Sequence, residues 1–172
     1  MSVDLQRLAD GLSRVAAPAE PDAGAVVGTP AAEAATVPTP GRCQITDYAA
    51  KGYHLDLTIA PSQLIDAVTL LDNNGFGLDA ITGVDWIAQQ AMEVVYDFFH
   101  PAGGLRVVVR TQVPRDNPSV PTISKVFAGA NWHERETHDF FGIVFEGHPN
   151  LVPILLPEDA TFHPLRKDFS AA

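Results

Sequence analysis

The chain has 172 residues, room for one ordinary domain with an appendage, and a composition typical of globular proteins. Lys and Arg number 11 against 21 Asp and Glu, a formal charge of -10, which argues against a general nucleic-acid footprint. No stretch reaches the roughly 20 apolar residues of a bilayer span and the N-terminus lacks a signal-peptide pattern, so the cytoplasm is the expected compartment.

Residues 3–16 place Leu5, Leu8, Leu12 and Val15 along a narrow helical stripe weakened by Gly11. Two fates are open for this short helix: a frayed terminus, or docking on a partner through a tether. Residues 17–41 are rich in Ala and Pro and nearly free of large apolar side chains, the composition of an extended linker. Cys43 follows. A lone cysteine excludes an internal disulfide framework and cannot by itself hold an iron-sulfur cluster or a structural zinc, so cluster chemistry is expected only in a partner.

From Arg42 to Phe145 the pattern is that of an α+β domain. Tyr53, Leu55, Leu57 and Ile59 alternate as in a half-buried strand. Pro61 then opens a helix carrying Leu64, Ile65, Val68 and Leu71, closed by Asn74-Gly75. Three β-rich runs follow at 78–87, 92–100 and 105–113, joined by short loops and reading as an antiparallel meander. After a Pro-rich loop, Ile123, Val126, Phe127 and Ala130 take helical spacing, which predicts a second helix over 122–141. The expectation is a mostly antiparallel four-stranded sheet with two helices on one face, in the order β-α-β-β-β-α. Residues 146–172 form a long extended tail. It keeps Leu151, Ile154, Leu155, Leu156, Phe162, Leu165 and Phe169, which want burial, so it should wrap over its own domain or a neighbouring protein.

Four of the six histidines lie between Asn131 and Phe169, beside clustered acids and arginines. His133 and His138 are five apart, about 140° around a helix, so they do not converge as zinc-protease histidines do. Glu134 and His138 could share an ion, but two ligands are weak grounds for a metal site. Arg135 and Asp139 have ion-pair spacing. Glu134 and Glu136 face different directions, and we expect Glu134 to pair with Arg166. No nucleophile elbow, dinucleotide fingerprint or phosphate loop occurs. Gly142 should end the helix in the left-handed region, Gly147-His148-Pro149 should redirect the chain after a short strand at 143–145, and His148 should bond a backbone carbonyl. The segment looks more like a surface for a protein partner than a catalytic pocket.

Glu134-Arg135-Glu136, Asp139, Phe141-Gly142-Ile143, Phe145, Gly147-His148-Pro149 and Pro164-Leu165-Arg166-Lys167-Asp168 together resemble the signature of the NuoC family, a peripheral component of NADH-quinone oxidoreductase, respiratory complex I. The counterpart subunits of membrane-bound energy-converting NiFe hydrogenases share it. The resemblance covers Arg42 to Phe169. It implies a cofactor-free peripheral subunit on the cytoplasmic side of the membrane, with those residues as scaffold and interface. It further implies a large catalytic subunit, an iron-sulfur small subunit and a ferredoxin-like iron-sulfur subunit as partners, which carry the iron-sulfur clusters and any NiFe centre. Quinone-reducing members usually continue after Gly-His-Pro with Leu-Arg-Arg, where this chain has Leu151-Val152-Pro153. Family members often carry Trp and Gly where Ala160, Thr161 and Phe162 stand. The run Leu155-Leu156-Pro157-Glu158-Asp159 resembles the hydrogenase branch, toward which the reading leans. Two further classes stay open: a stand-alone metal-dependent enzyme using Glu134, His138 and His148, and a transient assembly factor.

Overall fold

The computed structural model describes residues 3–17 and 41–170. The linker expected at 17–41 falls, apart from its end residues, outside the described residues.

Strand parity builds the core. Leu55, Leu57 and Ile59 of β2 (Leu55–Ile59) stand beside Val107, Val109 and Thr111 of β5 (Arg106–Pro114). The latter stand beside Phe98, Tyr96 and Val94 of β4 (Ala91–Phe99). Because alternate residues point to one side, these strands share a single apolar face, extended by Ile81, Gly83 and Asp85 of β3 (Gly77–Trp86). The five strands lie in the order β1-β2-β5-β4-β3, with β2 and β5 parallel and the remaining neighbours antiparallel. The expected α+β class and the meander of β3, β4 and β5 are present. The additional strand is β1 (Arg42–Ile45), which is short and mostly exposed and so lacks an alternating apolar signal. Its turn to β2 contains the short helix α2 (Tyr48–Lys51). A separate parallel pair joins β6 (Ser119–Pro121), read from sequence as part of a loop, to β7 (Val144–Glu146).

The helices cover the apolar face. α3 (Leu64–Asn73) follows a 3-10 turn at Pro61–Gln63 and buries Leu64, Ala67, Val68 and Leu71. α4 (Ala130–Phe141) begins later than the spacing predicts. Val126 and Phe127 both donate to the Ile123 carbonyl, forming an isolated turn, and the apolar spacing that looked helical belongs to that turn. The Phe141 ring lies over Gly83, where a Cβ would sit 2.5 to 2.9 Å from ring atoms. Only glycine lets α4 approach β3 this closely.

α1 (Leu5–Ala16) packs against α3, β1 and β2 of its own domain. Asp4 caps it by accepting from the Gln6 and Arg7 amides, and Leu8, Leu12 and Ala16 are buried. The Gln63 side-chain amide donates to the Val15 and Ala17 carbonyls, both at 2.9 Å, and closes its C-terminal end. The helix is thus seated in cis, neither frayed nor free for a partner, because α3 offers the apolar surface that its own stripe lacks. Leu12→Ala should cost about 2–5 kcal/mol in urea unfolding. An unchanged midpoint would show that the α1 contact contributes nothing to the fold.

Candidate interaction surface

The last turn of any α-helix leaves four carbonyls without intrahelical partners. In α4 all are met locally. Gly142, at φ 71°, donates to the His138 carbonyl, as expected of a left-handed helix end. The three remaining acceptors are met from the tail: His163 Nδ1 donates to Asp139 O at 2.9 Å, the Leu165 amide to Phe140 O at 3.2 Å and Arg166 Nε to Phe141 O at 2.7 Å. Cationic Arg166 also suits the negative end of the helix dipole. Residues 163–166 are therefore a C-terminal cap supplied by the tail.

The outer side of α4 holds the preceding loop. Asp139 Oδ2 accepts from the consecutive amides of Ile154, Leu155 and Leu156 at 2.9, 2.7 and 3.2 Å. Arg135 Nε and Nη2 donate to the Val152 and Pro153 carbonyls. The expected Arg135–Asp139 pair is replaced by these contacts: the carboxylate takes up the loop's donors and the guanidinium its acceptors. Burial pushes the Asp139 carboxyl up, but the three amides outweigh it and hold the group below its ordinary value.

The far end of the tail is fixed to the sheet. Asp85, buried at the end of β3, accepts from Arg115 at 2.7 and 2.9 Å and from the Lys167 amide at 2.8 Å. Arg115 also donates to Asp168 at 2.6 Å. The Arg115 hydrogen bond, ahead of the opposing effect of burial, holds Asp85 below the usual aspartate range. Neither Asp85 nor Arg115 was among the sequence candidates. An acid at the inward phase of Ile81, Gly83 and Asp85 was a usable signal, since such a group must find a partner.

The expected Glu134–Arg166 pair does not form. Glu134 has no solvent exposure and accepts from Thr122 Oγ1 and the Ile123 amide, while Arg166 caps α4. Glu136 is exposed. Phe145 is buried, and Gly147 turns the chain at φ 78° before His148 and Pro149. His148 Nε2 lies 3.3 Å from the Asn131 carbonyl, as expected of a structural histidine. Glu134 and His148 approach to 3.7 Å, whereas His138 donates to the Ile143 carbonyl and faces His163. The three ligands of the metal-enzyme reading are not brought together, and among the described residues no cluster of three or more His, Cys, Asp or Glu could hold a metal ion.

With its backbone tied to α4, the tail turns apolar side chains outward. Leu155 is 59% exposed, Leu165 51%, Phe162 45% and Val152 45%. Trp132 on α4 is 61% exposed, with Arg135 over its ring. Such a collection exceeds the scattered apolar exposure of ordinary surfaces and marks a docking face.

A mostly antiparallel α+β sheet whose last helix clamps an extended tail defines a docking subunit. The chain matches the respiratory-chain NADH dehydrogenase, 30 Kd subunit family over residues 57–172 and belongs to it. Its NADH-quinone oxidoreductase relative in Roseiflexus castenholzii is 41% identical over 119 residues, covering 66% of this chain and 68% of that one. NADH-quinone oxidoreductase subunit 5 of Thermus thermophilus is 46% identical over 98 residues, covering 54% of this chain and 47% of the relative. Among solved structures, a chain of the membrane-bound sulfane sulfur reductase, an archaeal respiratory membrane complex, superimposes with TM-score 0.62 at 29% identity, covering 67% and 71% of the two chains. The trypsin-resistant fragment of Nqo5 does so with TM-score 0.51 at 33% identity, covering 60% of this chain and 92% of the fragment. The protein is thus a subunit of a complex I-type membrane respiratory complex, with protein partners in it. No helix among the described residues is long and apolar enough to cross a membrane.

Asp139→Asn should destabilise the fold by about 1–3 kcal/mol, because a neutral amide is a weaker acceptor for donors that remain. Faster amide exchange at Ile154, Leu155 and Leu156 than in the parent protein is the accompanying readout. The pH dependence has a definite sign. Asp85 and Asp139 titrate below their unfolded values, so their contribution is present above about pH 3.9 and is lost as pH falls through the folded values beneath it. Protection of the 154–156 amides, corrected for intrinsic exchange, should therefore persist through about pH 3.9 and collapse only lower. Collapse between about pH 5 and 6 would contradict the clamp.

Proposed function

We propose that this chain is a cofactor-free scaffold subunit of the hydrophilic arm of its complex, on the cytoplasmic side of the membrane. Its tail docks on the large catalytic subunit and the iron-sulfur small subunit, with a ferredoxin-like iron-sulfur subunit nearby. Iron-sulfur clusters, and a NiFe centre where the complex has one, belong to those partners. The observation that carries this reading is the division within the tail: its polar backbone is satisfied internally by α4, while Val152, Leu155, Phe162 and Leu165 are left outward.

The curated relatives, carrying the name NADH-quinone oxidoreductase, favour a quinone-reducing complex. A hydrogenase-type complex is the second reading, supported by the Leu155-to-Asp159 run and by the likeness to the sulfane sulfur reductase chain.

The experiment is purification of the N-terminally tagged chain from detergent-solubilised native membranes, with stoichiometric partners identified by mass spectrometry. A large subunit with two Cys-x-x-Cys pairs for nickel places the chain in a hydrogenase, and one without them in a quinone reductase. Recovery of the chain alone sinks the scaffold reading. Leu155→Asp combined with Leu165→Asp should reduce partner recovery at least tenfold, as expected when about 1.4 kcal/mol or more of binding is lost, while leaving the isolated chain folded by circular dichroism. Undiminished recovery would remove the tail from the interface.

A further inference from the structure

Glu134 lies at the inner side of α4, fully enclosed, with no arginine or lysine bonded to it. Its Oε1 accepts from the Ile123 amide at 2.7 Å and its Oε2 from Thr122 Oγ1 at 2.5 Å. Thr122 is itself buried, and its Oγ1 stands 2.7 Å from Ser124 Oγ on the half-buried turn above. Either hydroxyl can be the donor in that contact. The carboxyl is therefore the inner end of a chain of two hydroxyls leading toward solvent.

The one cationic candidate beside it is held neutral. His148 Nδ1 accepts from the Asn150 amide at 3.0 Å, which leaves its single proton on Nε2, directed at Asn131 O and the more distant Glu134 Oε2. A second proton on Nδ1 would face the Asn150 N–H. Burial, with Arg135 and His138 in support, accordingly holds His148 below its ordinary value. From β4 the buried Tyr96 hydroxyl faces the carboxyl and stays protonated, shifted upward by burial and then by Glu134. Lys125, on the turn, is exposed and approaches Gly147, and Glu146 of β7 is exposed and bonded to Ser119. No group on these elements neutralises Glu134 by ion pairing.

We propose that Glu134 is a reversible proton-binding site that exchanges its proton with solvent through Thr122 and Ser124. In the ionised state Thr122 donates to the carboxylate and accepts from Ser124. On uptake, a solvent proton goes to Ser124 Oγ, the Ser124 proton moves to Thr122 Oγ1 and the Thr122 proton moves to Glu134 Oε2. Each hydroxyl oxygen gains one proton and passes one on, so both hydroxyls end neutral, their hydrogen bonds reversed. Release runs the sequence backward. Burial, opposed by the Thr122 and Ile123 hydrogen bonds, pushes the carboxyl up to about 7, which places the exchange around neutrality. Because the folded value lies above the unfolded one, the site's stabilisation is complete below about pH 4.3 and disappears as pH rises through 7.

The test uses the full chain labelled with 15N and with 13C at glutamate side chains, titrated by NMR. The Ile123 amide and one carboxyl resonance should share a midpoint near 7, and Glu134→Gln should abolish both transitions. If that variant does not fold, the shared Ile123 midpoint in the parent chain still decides. Thr122→Val should move the midpoint further up, since the ionised carboxyl loses a donor. Ser124→Ala should leave the midpoint in place and slow proton exchange. A shared midpoint at the ordinary glutamate value of about 4.3 would overturn the site, and unslowed exchange in Ser124→Ala would overturn the hydroxyl route.

Discussion

The C-terminal end of α4 is the constraint around which the rest of the chain is arranged. A helix that stops near a protein interior cannot leave its last carbonyls bare, and here His163, Leu165 and Arg166 supply donors to three of them. Supplying them requires the chain to leave α4, pass through β7 and return, which determines the path of residues 147–166. The Asp139 contact to three successive amides and the Arg135 contacts to two carbonyls stabilise the returning segment where it has no secondary structure of its own. Asp85 and Arg115 then tie its end to the sheet. An irregular tail acquires a defined shape because its polar groups are satisfied from one side.

That arrangement explains how an extended segment can serve as a docking face. Loops normally present polar surface, since their backbone must bond to water. Here α4 takes over that role for part of the tail, and the outward side can be apolar. Preorganisation also lowers the ordering cost of association, because the tail is held in shape before the partner arrives. The enclosed Glu134 beneath the same helix is a different case: it braces residues 122–123 against α4 without a compensating cation, which is why its protonation state is open to change.

Several sequence expectations failed for one physical reason. Arg135 with Asp139, and Glu134 with Arg166, were matched as opposite charges at suitable spacing or in neighbouring motifs. Exposed ion pairs are weak, and backbone groups without secondary-structure partners compete for the same side chains. Asp139 therefore serves amides and Arg166 serves a carbonyl. Asp85 and Arg115 went unread because they are 30 residues apart and belong to different strands. β1 went unread because a short exposed edge strand has no periodic signal.

What the sequence determined by itself is what depends on local periodicity and backbone chemistry. Alternation at Leu55, Leu57 and Ile59, the helical spacing from Leu64 to Leu71, the meander and the left-handed end at Gly142 all follow from side-chain phase and steric preference within a few residues. The motif from Glu134 to Asp168 was likewise legible as a unit. Only the tertiary structure decided the partner of each polar group in that motif, the seating of α1 on α3 and the burial of Glu134. Those outcomes depend on which unsatisfied donors and apolar faces folding brings within reach, and sequence spacing does not encode that proximity.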